Sequence, residues 1–309
     1  MNSPHAIQYR TGASTSPASA AAQRAVFLSE RDFMGAALPR PIEQVVPLAV
    51  PAPHDGPIDF AAQLGLDWPA TLPALLAGTH ALAPGASTVL AAQAGSAVVL
   101  VLEGSGQVRA GDEVLTVGTG DILSLPGPDA SANAGPDGLR LYYVDDSPMA
   151  RYMGWQVTPD ARCAPVHWTS AQLAARLAET AAQGITASGV FLSHAGLARE
   201  KLASPNLFAH LNRLMPGAAN TVHAHAAAAI TYVIEANDRS YSLLGPQLDG
   251  PDIVNPQRVD WHAGQVSLTP PNLWHGHFND GATPIVSLVV QLSGVYYNDR
   301  TMNFLFAGR

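Results

Sequence analysis

The chain repeats one pattern at two widely separated places, and this repeat restricts its fold more than any other feature. The sequence LLAGTHALAPGA at 75–86 matches LFAHLNRLMPGA at 207–218, sharing Leu, Ala, Leu and the closing Pro-Gly-Ala. A second pair, GTGDILSLPGP at 118–128 and HAGQVSLTPPN at 262–272, shares a glycine and a proline at equivalent positions. The repeat predicts a tandem duplication of one structural unit.

Both copies have a sequence pattern typical of β structure. Short alternating or apolar runs, such as AVVLVLEG, DILSLPG and SYSLLG, are separated about every 8–12 residues by Gly, Asp or Pro. Between the copies, residues 167–184 carry leucines at helical spacing, with Thr169 or Ser170 as the N-cap and Gly184 as the stop. We therefore predict an all-β protein of two tandem β domains joined by a linker helix.

Composition excludes several classes of partner. The 309 residues carry a net charge of −8, and Lys and Arg form no cluster, so we expect neither nucleic acid nor a membrane surface as partner. A single cysteine fits a reducing compartment, and we find no signal-peptide core and no apolar run of 18 residues. We expect a cytoplasmic protein that forms a homo-oligomer, either a dimer or a tetramer.

Three histidines of the second copy have the spacing of a metal site. His223 and His225 follow Gly217, and His275 follows Gly264 in the next matched block. Residues i and i+2 of a strand point to one face, so the first two can reach one ion, and His275 can complete the set from a neighbouring strand. The same pair could also be two core histidines bonded to backbone groups.

These residues resemble the two sequence motifs of the cupin family, G-x5-H-x-H and G-x5-P-x-G-x2-H-x3-N. The resemblance implies two cupin barrels, each a double-stranded β-helix of jelly-roll type. The first copy has Ala91, Gln93 and Ser131 where the second has histidines, so we expect no metal there. We expect four regions: an N-terminal arm at 1–58, a degenerate cupin at 59–160, a linker helix region at 161–190 and a metal-bearing cupin at 191–309.

Within the cupins, LTPPNLWHGHFND at 268–280 resembles the gentisate 1,2-dioxygenase group, which has relatives acting on salicylate. This resemblance implies an Fe2+-dependent dioxygenase that uses O2 to cleave a small hydroxylated aromatic acid. The stretch AAAA at 226–229 lacks the glutamate that many cupins carry, which leaves three histidines as the predicted ligands. Mn2+, Ni2+, Cu2+ and Zn2+ remain alternatives to iron.

Other polar residues near these motifs are candidates for roles at the site. His277 shares a strand face with His275 and is the predicted catalytic proton carrier or hydrogen-bond partner of substrate. The gentisate group has an arginine where this chain has Thr231. Four further residues are predicted to bind substrate, Arg213 as a carboxylate clamp; they are Arg213, Tyr232, Trp274 and Gln291.

Two other functions stay open. The protein could be a metal-dependent cupin isomerase, lyase or hydrolase that uses its ion as a Lewis acid without O2. It could also be a ligand-binding bicupin without catalytic activity. Oxygen uptake separates the dioxygenase from the metal-dependent enzyme that does not use O2. Metal analysis separates both enzymes from the ligand-binding bicupin.

Overall fold

The computed structural model describes residues 19–35, 40–128, 130–158 and 163–308. The chain divides into two units, Met1–Arg40 and Pro41–Arg309. The first unit contains two short helices, α1 (Ala20–Gln23) and α2 (Glu30–Gly35). Much of the expected N-terminal arm, residues 1–18 and 36–39, lies outside the described residues.

The second unit begins with short elements. They are a 3-10 helix at Ile42–Gln44, the strands β1 (Ala49–Pro51) and β2 (Gly56–Ile58), and helix α3 (Ala61–Leu64). The proline-rich part of the expected arm therefore contains two strands. Proline lacks a backbone N–H and is confined to strand ends and sheet edges. Accordingly, both strands lie at the edge of a sheet.

The first barrel is a single antiparallel sheet of eight strands. Six of its strands are β3 (Leu76–Leu82), β4 (Ser87–Leu90), β5 (Ser96–Ala110), β6 (Glu113–Gly118), β7 (Ile122–Pro126) and β8 (Ala130–Asp145). Helix α4 (Ser147–Met153) and strand β9 (Val166–Trp168) follow. The main strand order is β2-β3-β8-β5-β7-β9, with β4 paired to β8 and β6 to β5.

The predicted linker helix is confirmed as α5 (Ser170–Ala182). Thr169 is its N-cap, and with Gln172 it forms a capping box that satisfies free backbone N–H groups of the first turn. Gly184 follows the helix with a φ of +72°, a left-handed conformation that favours glycine.

The second barrel consists of two sheets and a small hairpin. Its strands are β10 (Ala187–Leu192), β11 (Leu207–Leu214), β12 (His223–Ala224), β13 (Ala229–Glu235), β14 (Ser240–Gly245), β15 (Leu248–Asp249), β16 (Asp252–Ile253), β17 (Gln257–Asp260), β18 (Gln265–Thr269), β19 (Trp274–Asn279), β20 (Ile285–Leu292) and β21 (Leu305–Phe306). A 3-10 helix at Ala195–Leu197 and helix α6 (Gly294–Asp299) complete it. The two sheets have the orders β1-β18-β13-β20-β11-β10 and β17-β14-β19-β12-β21, and β15 pairs with β16.

The N-terminal strands connect the two barrels. Ala49 of β1 pairs with Ser267 of the second barrel, whereas Gly56 of β2 pairs with Thr79 of the first. Only residues 52–55 separate β1 from β2, so this short segment passes from one barrel's sheet to the other's. The sequence predicted an N-terminal arm over this region.

The strand register repeats between the barrels. Strand β5 lies between β7 and β8, as β13 lies between β18 and β20. Val98 faces Ser124 in the first barrel, and Ile230 faces Leu268 in the second. These partners have the offsets of 132 and 144 residues found in the sequence repeat. The two copies thus build the same arrangement of central strands.

One face of each central sheet packs against the other barrel. A single buried apolar cluster includes Val98, Tyr142 and Val144 from the first barrel with Ile230 and Tyr232 from the second. The rings of Tyr142 and Tyr232 meet at a centroid distance of 4.5 Å. Because alternate residues of a strand face opposite sides, their neighbours along the strands point into the barrels.

The two barrel interiors differ in polarity. In the first barrel, buried apolar side chains fill the interior, among them Val99, Leu123, Leu125 and Leu141. The repeat offsets relate the first three positions to hydroxyl side chains in the second barrel, namely Thr231, Ser267 and Thr269. The strand register relates Leu141, the partner of Val101, to Ser287, the partner of Val233. Replacing leucine by serine or threonine removes side-chain volume and adds polar groups, so the second interior is suited to hold a ligand. Among the described residues, no helix is long and apolar enough to cross a membrane.

Candidate metal centre

The three predicted ligand histidines converge in the second barrel. His223 of β12 pairs directly with His275 of β19, and His225 follows one residue beyond the end of β12. One donor nitrogen of each lies within 4.8 Å of the others. The ring centroid of His275 lies 4.2 Å from that of His223 and 4.8 Å from that of His225. The three side chains are therefore close enough together to form a candidate site for one metal ion.

Backbone carbonyl groups fix the orientation of all three rings. The Nδ1–H groups of His223, His225 and His275 donate to the carbonyl oxygens of Thr221, Ala227 and Leu273, over 2.8, 2.7 and 2.8 Å. A carbonyl can only accept, so each Nδ1 carries the proton and each Nε2 keeps its lone pair. This second layer of contacts holds the tautomer that metal ligation by Nε2 requires.

Burial keeps the cluster neutral. Desolvation, followed by the proximity of the other rings, lowers the pKa of His225 to about 4 and holds the pKa of His275 well below its usual value. Desolvation also lowers the pKa of His223. Neutral imidazole is the form that binds a metal, so near pH 7 no proton has to leave before an ion enters.

The donor set fits a divalent transition metal. Three imidazoles without a carboxylate or thiolate suit Fe2+, and also Zn2+, Cu2+ or Ni2+, better than Ca2+ or Mg2+. The alanine stretch after His225 bends at residues 226–227, which separates β12 from β13. All three histidines also line one cavity, from which other ligands could reach a bound ion.

The histidines lie in the wall of a cavity of about 920 Å³. Aromatic side chains contribute much of its lining, with Phe208 buried inside and Phe191, Phe304 and Phe306 exposed to solvent. Among the described residues that line the cavity, charged side chains occur only at 199–201, where Arg199 and Lys201 are exposed. The interior is therefore neutral, and a bound metal would be its main charge.

Gln291, a predicted substrate-binding residue, lies beside the histidines. The Ser293 hydroxyl donates to Gln291 Oε1 over 3.3 Å, which turns the amide nitrogen towards His225. Gln291 Nε2 is 3.4 Å from His225 Nε2. The amide N–H therefore faces the lone pair with which His225 would bind an ion, and a bound ion would leave this N–H to another group beside it.

His277 also lines the cavity, and a polar chain positions it from behind. Trp261 Nε1–H donates to Ser242 Oγ over 2.8 Å, and Ser242 Oγ is 2.8 Å from His277 Nδ1. When the hydroxyl donates to Nδ1, all three groups are satisfied and the proton of His277 lies on Nε2. Burial lowers the pKa of His277 to about 3. Near neutral pH this residue is a hydrogen-bond donor without charge.

Arg213 lies away from the cavity, contrary to the sequence prediction. Its Nη2 donates to the carbonyl of Leu177 over 2.6 Å and lies 3.5 Å from Thr180 Oγ1. Both partners belong to α5. A cation beside carbonyl groups near the end of a helix stabilises that end, so Arg213 fastens the linker helix to the second barrel.

Tyr232 and Trp274 are also absent from the cavity lining. Tyr232 is 7% exposed and packs on Tyr142 between the barrels. Trp274 directly precedes His275 in β19, so it points to the opposite face of the strand. The structure therefore corrects the expected substrate-binding positions of both aromatic residues.

Several residues of the cavity were missed by the sequence analysis. Phe208, His210 and Asn212 alternate along β11 and all face the cavity. Asn212 Nδ2 donates to Asn220 Oδ1 over 3.0 Å. The alternation F-x-H-x-N could have indicated which face of β11 lines the cavity, because it places three polar or aromatic residues on the face opposite to Arg213.

The equivalent positions of the first barrel have a different register. Ser131 pairs with Val89, not with Ala91, so the two predicted counterparts of His275 and His223 are not direct partners. Gln93 lies in surface depressions near α4. Among the described residues, the one group of three potential metal-binding side chains is that of the second barrel.

Comparisons with known proteins agree with this architecture. No family model matches the chain. A gentisate 1,2-dioxygenase from Aquipseudomonas alcaligenes is 26% identical over 154 residues, which are 48% of this chain and only 41% of that protein. The chain thus spans less than half the length of this curated relative.

Two solved structures share the fold over most of their length. Salicylate 1,2-dioxygenase from Pseudoaminobacter salicylatoxidans, as its adduct with gentisate, has a TM-score of 0.63 and 13% identity, covering 86% of this chain and 81% of that chain. Oxalate decarboxylase from Lactobacillus farciminis, in a formate complex, has a TM-score of 0.56 and 12% identity, covering 85% and 89%. The chain therefore has the bicupin fold, with two tandem cupin barrels joined by a helix.

Proposed function

We propose that this protein is an Fe2+-dependent dioxygenase that cleaves a small hydroxylated aromatic acid with O2. One observation carries the proposal: three neutral, pre-oriented imidazoles converge on the wall of a large cavity lined by aromatic side chains. The partial sequence match to a gentisate dioxygenase supports the same chemistry. When bound, iron would supply the redox and Lewis-acid chemistry that this reaction requires.

The residues of the chain would bind and orient the substrate. His223, His225 and His275 would hold the ion by Nε2 and leave the cavity side open for a chelating pair of substrate oxygens. Gln291 and His277 would donate hydrogen bonds to oxygens near the ion. The phenylalanine side chains would pack on the ring and exclude water.

A metal-dependent reaction without O2 is the second candidate. The fold match to oxalate decarboxylase favours it as much as the other matches favour oxygen chemistry. The cavity argues for a ring, because it is far larger than a two-carbon acid needs, and its described cations, Arg199 and Lys201, are exposed to solvent. In this second reaction His277 would carry the proton.

Oxygen consumption separates the two candidates. The protein is loaded with Fe2+ under anaerobic conditions and mixed with gentisate, salicylate or oxalate in buffer of known O2 content. The proposal expects one O2 consumed for each ring lost, with both oxygen atoms recovered in the product when labelled O2 is used. Conversion of a substrate without O2 uptake would favour the second candidate.

A further inference from the structure

One row of side chains crosses the six-stranded sheet at the cavity. Phe191 of β10 pairs with His210 of β11, His210 pairs with Val289 of β20, and Val289 pairs with Thr231 of β13. All four line the cavity. Thr231 occupies the position at which the gentisate group has an arginine, so this row lacks that cation. Two strands away, the row contains the imidazole of His210.

His210 is held by packing and has an unused polar atom. Its ring lies between Phe191 and Phe208, at centroid distances of 5.3 Å from each. Its Nδ1 is buried without a hydrogen-bond partner. An unpaired buried acceptor is tolerated better than an unpaired N–H. The favoured tautomer therefore carries the proton on Nε2, the nitrogen that remains available to a ligand in the cavity.

His210 is an uncharged donor. Burial, with smaller effects from His223 and His225, lowers its pKa to about 3. A neutral imidazole offers one N–H and does not neutralise a carboxylate. Its natural partner is a hydroxyl or carbonyl oxygen, not the group that an arginine would bind.

The strand register shows how far His210 lies along the sheet from the three candidate ligand histidines. Gln291 contacts His225 and pairs with Phe208, which precedes His210 by two residues. Two residues of a strand span about 6.8 Å. His210 therefore faces a part of the ligand well removed from the atoms that would chelate the metal.

We propose that His210 is a substrate-positioning residue whose Nε2–H donates to an oxygen on the ring edge opposite the metal-chelating pair. This inference rests on the proposed function and narrows its substrate class to ring acids with a hydroxyl on that far edge. Gentisate, 2,5-dihydroxybenzoate, has such a hydroxyl. Salicylate, 2-hydroxybenzoate, has the same chelating groups and lacks it.

The two acids and two variants form a direct test. H210F removes the N–H and keeps a ring among neighbouring phenylalanines, whereas H210Q keeps an amide donor. Dissociation constants of both acids are measured by calorimetry on iron-loaded protein under anaerobic conditions. We expect H210F to weaken gentisate binding about tenfold with salicylate nearly unchanged, and H210Q to recover part of the loss. Metal content and melting temperature monitor the fold. H80F is the control, because His80 of the first barrel also stacks on an aromatic ring, that of Tyr143, and does not line this cavity.

Three results are distinguishable. An equal loss for both acids, or no loss for gentisate, overturns the role of His210 even if the wild-type protein consumes O2. Selective loss of gentisate in a protein that never consumes O2 supports the role of His210 and rejects the dioxygenase proposal. Failure of iron-loaded wild-type protein to bind either acid overturns both.

Discussion

His223 and His275 are direct partners across β12 and β19, with ring centroids 4.2 Å apart. Each ring donates Nδ1–H to a carbonyl two residues before it in the sequence, so both Nε2 atoms are free for one ion. The geometry of the site therefore depends on backbone pairing more than on side-chain packing.

Replacement of His275 by alanine is expected to abolish metal binding. Two imidazoles hold a divalent ion far more weakly than three, and wild-type protein should bind about one equivalent per chain. Elemental analysis after iron loading and desalting measures both values. His262→Ala, at an exposed position, is the control. Full occupancy in the His275 variant would contradict the assigned ligands, and two equivalents in wild type would indicate a second site.

Replacement of Arg213 by alanine is expected to destabilise the protein and leave substrate affinity unchanged. The variant loses the bond to the Leu177 carbonyl, and a charged hydrogen bond of this kind contributes about 1–3 kcal/mol. Denaturant unfolding measures the change. Arg176→Ala is the matched control, because its pair with Glu179 lies on the exposed surface of the same helix and should contribute less than about 1 kcal/mol. A raised KM at unchanged stability would restore the carboxylate-clamp interpretation.

The free energy of unfolding of the metal-free protein is expected to fall below about pH 6.5. Burial lowers the pKa of His225 to about 4 and of His277 to about 3, and unfolding returns both to about 6.5. Between these values the unfolded chain binds protons that the folded protein does not. Each such group therefore lowers the free energy of unfolding by about 1.4 kcal/mol for each pH unit by which the pH decreases.

Midpoints of urea unfolding at pH 7, 6 and 5 test this dependence of stability on pH. Asp145 acts in the opposite direction, since burial raises its pKa to about 6, but several histidines outweigh one carboxyl group. A His277→Asn variant should show a shallower decrease. Midpoints that are constant from pH 7 to 5 would contradict the buried, neutral state of these rings.

The C-terminal strand is expected to retard loss of the metal. Phe306 of β21 pairs with His223, and the two rings lie 6.0 Å apart, so this side chain covers the ligand from the solvent side. Phe306→Ser should accelerate iron extraction by a chelator by roughly tenfold. Leu305→Ser on the same strand, facing the other way, is the control. Equal rates in both variants would show that Phe306 does not protect the site.

The sequence was sufficient for the parts of the fold that depend on local pattern. The repeat predicted two β domains, and capping residues predicted α5 within a few residues. The pairing of β1 with β18 could not be predicted, because it joins residues more than two hundred positions apart and no local periodicity records it.

Strand parity explains which site predictions the structure supports. Gln291 shares the inward face of β20, whereas Arg213, Tyr232 and Trp274 each adjoin an inward-facing residue and so point outwards. Their chemistry suggested substrate binding, but none of the three lines the cavity. His210 had the correct parity and was missed because no motif includes it.

Oxygen uptake by iron-loaded protein tests the central claim most directly. Wild-type protein and the His275→Ala variant are loaded with Fe2+ without oxygen, then mixed with gentisate in an oxygen-electrode cell. We predict consumption of one O2 per gentisate by wild type, with loss of the ring absorbance, and none by the variant. Iron-loaded wild type that binds gentisate and leaves both O2 and the ring intact would contradict the proposed activity.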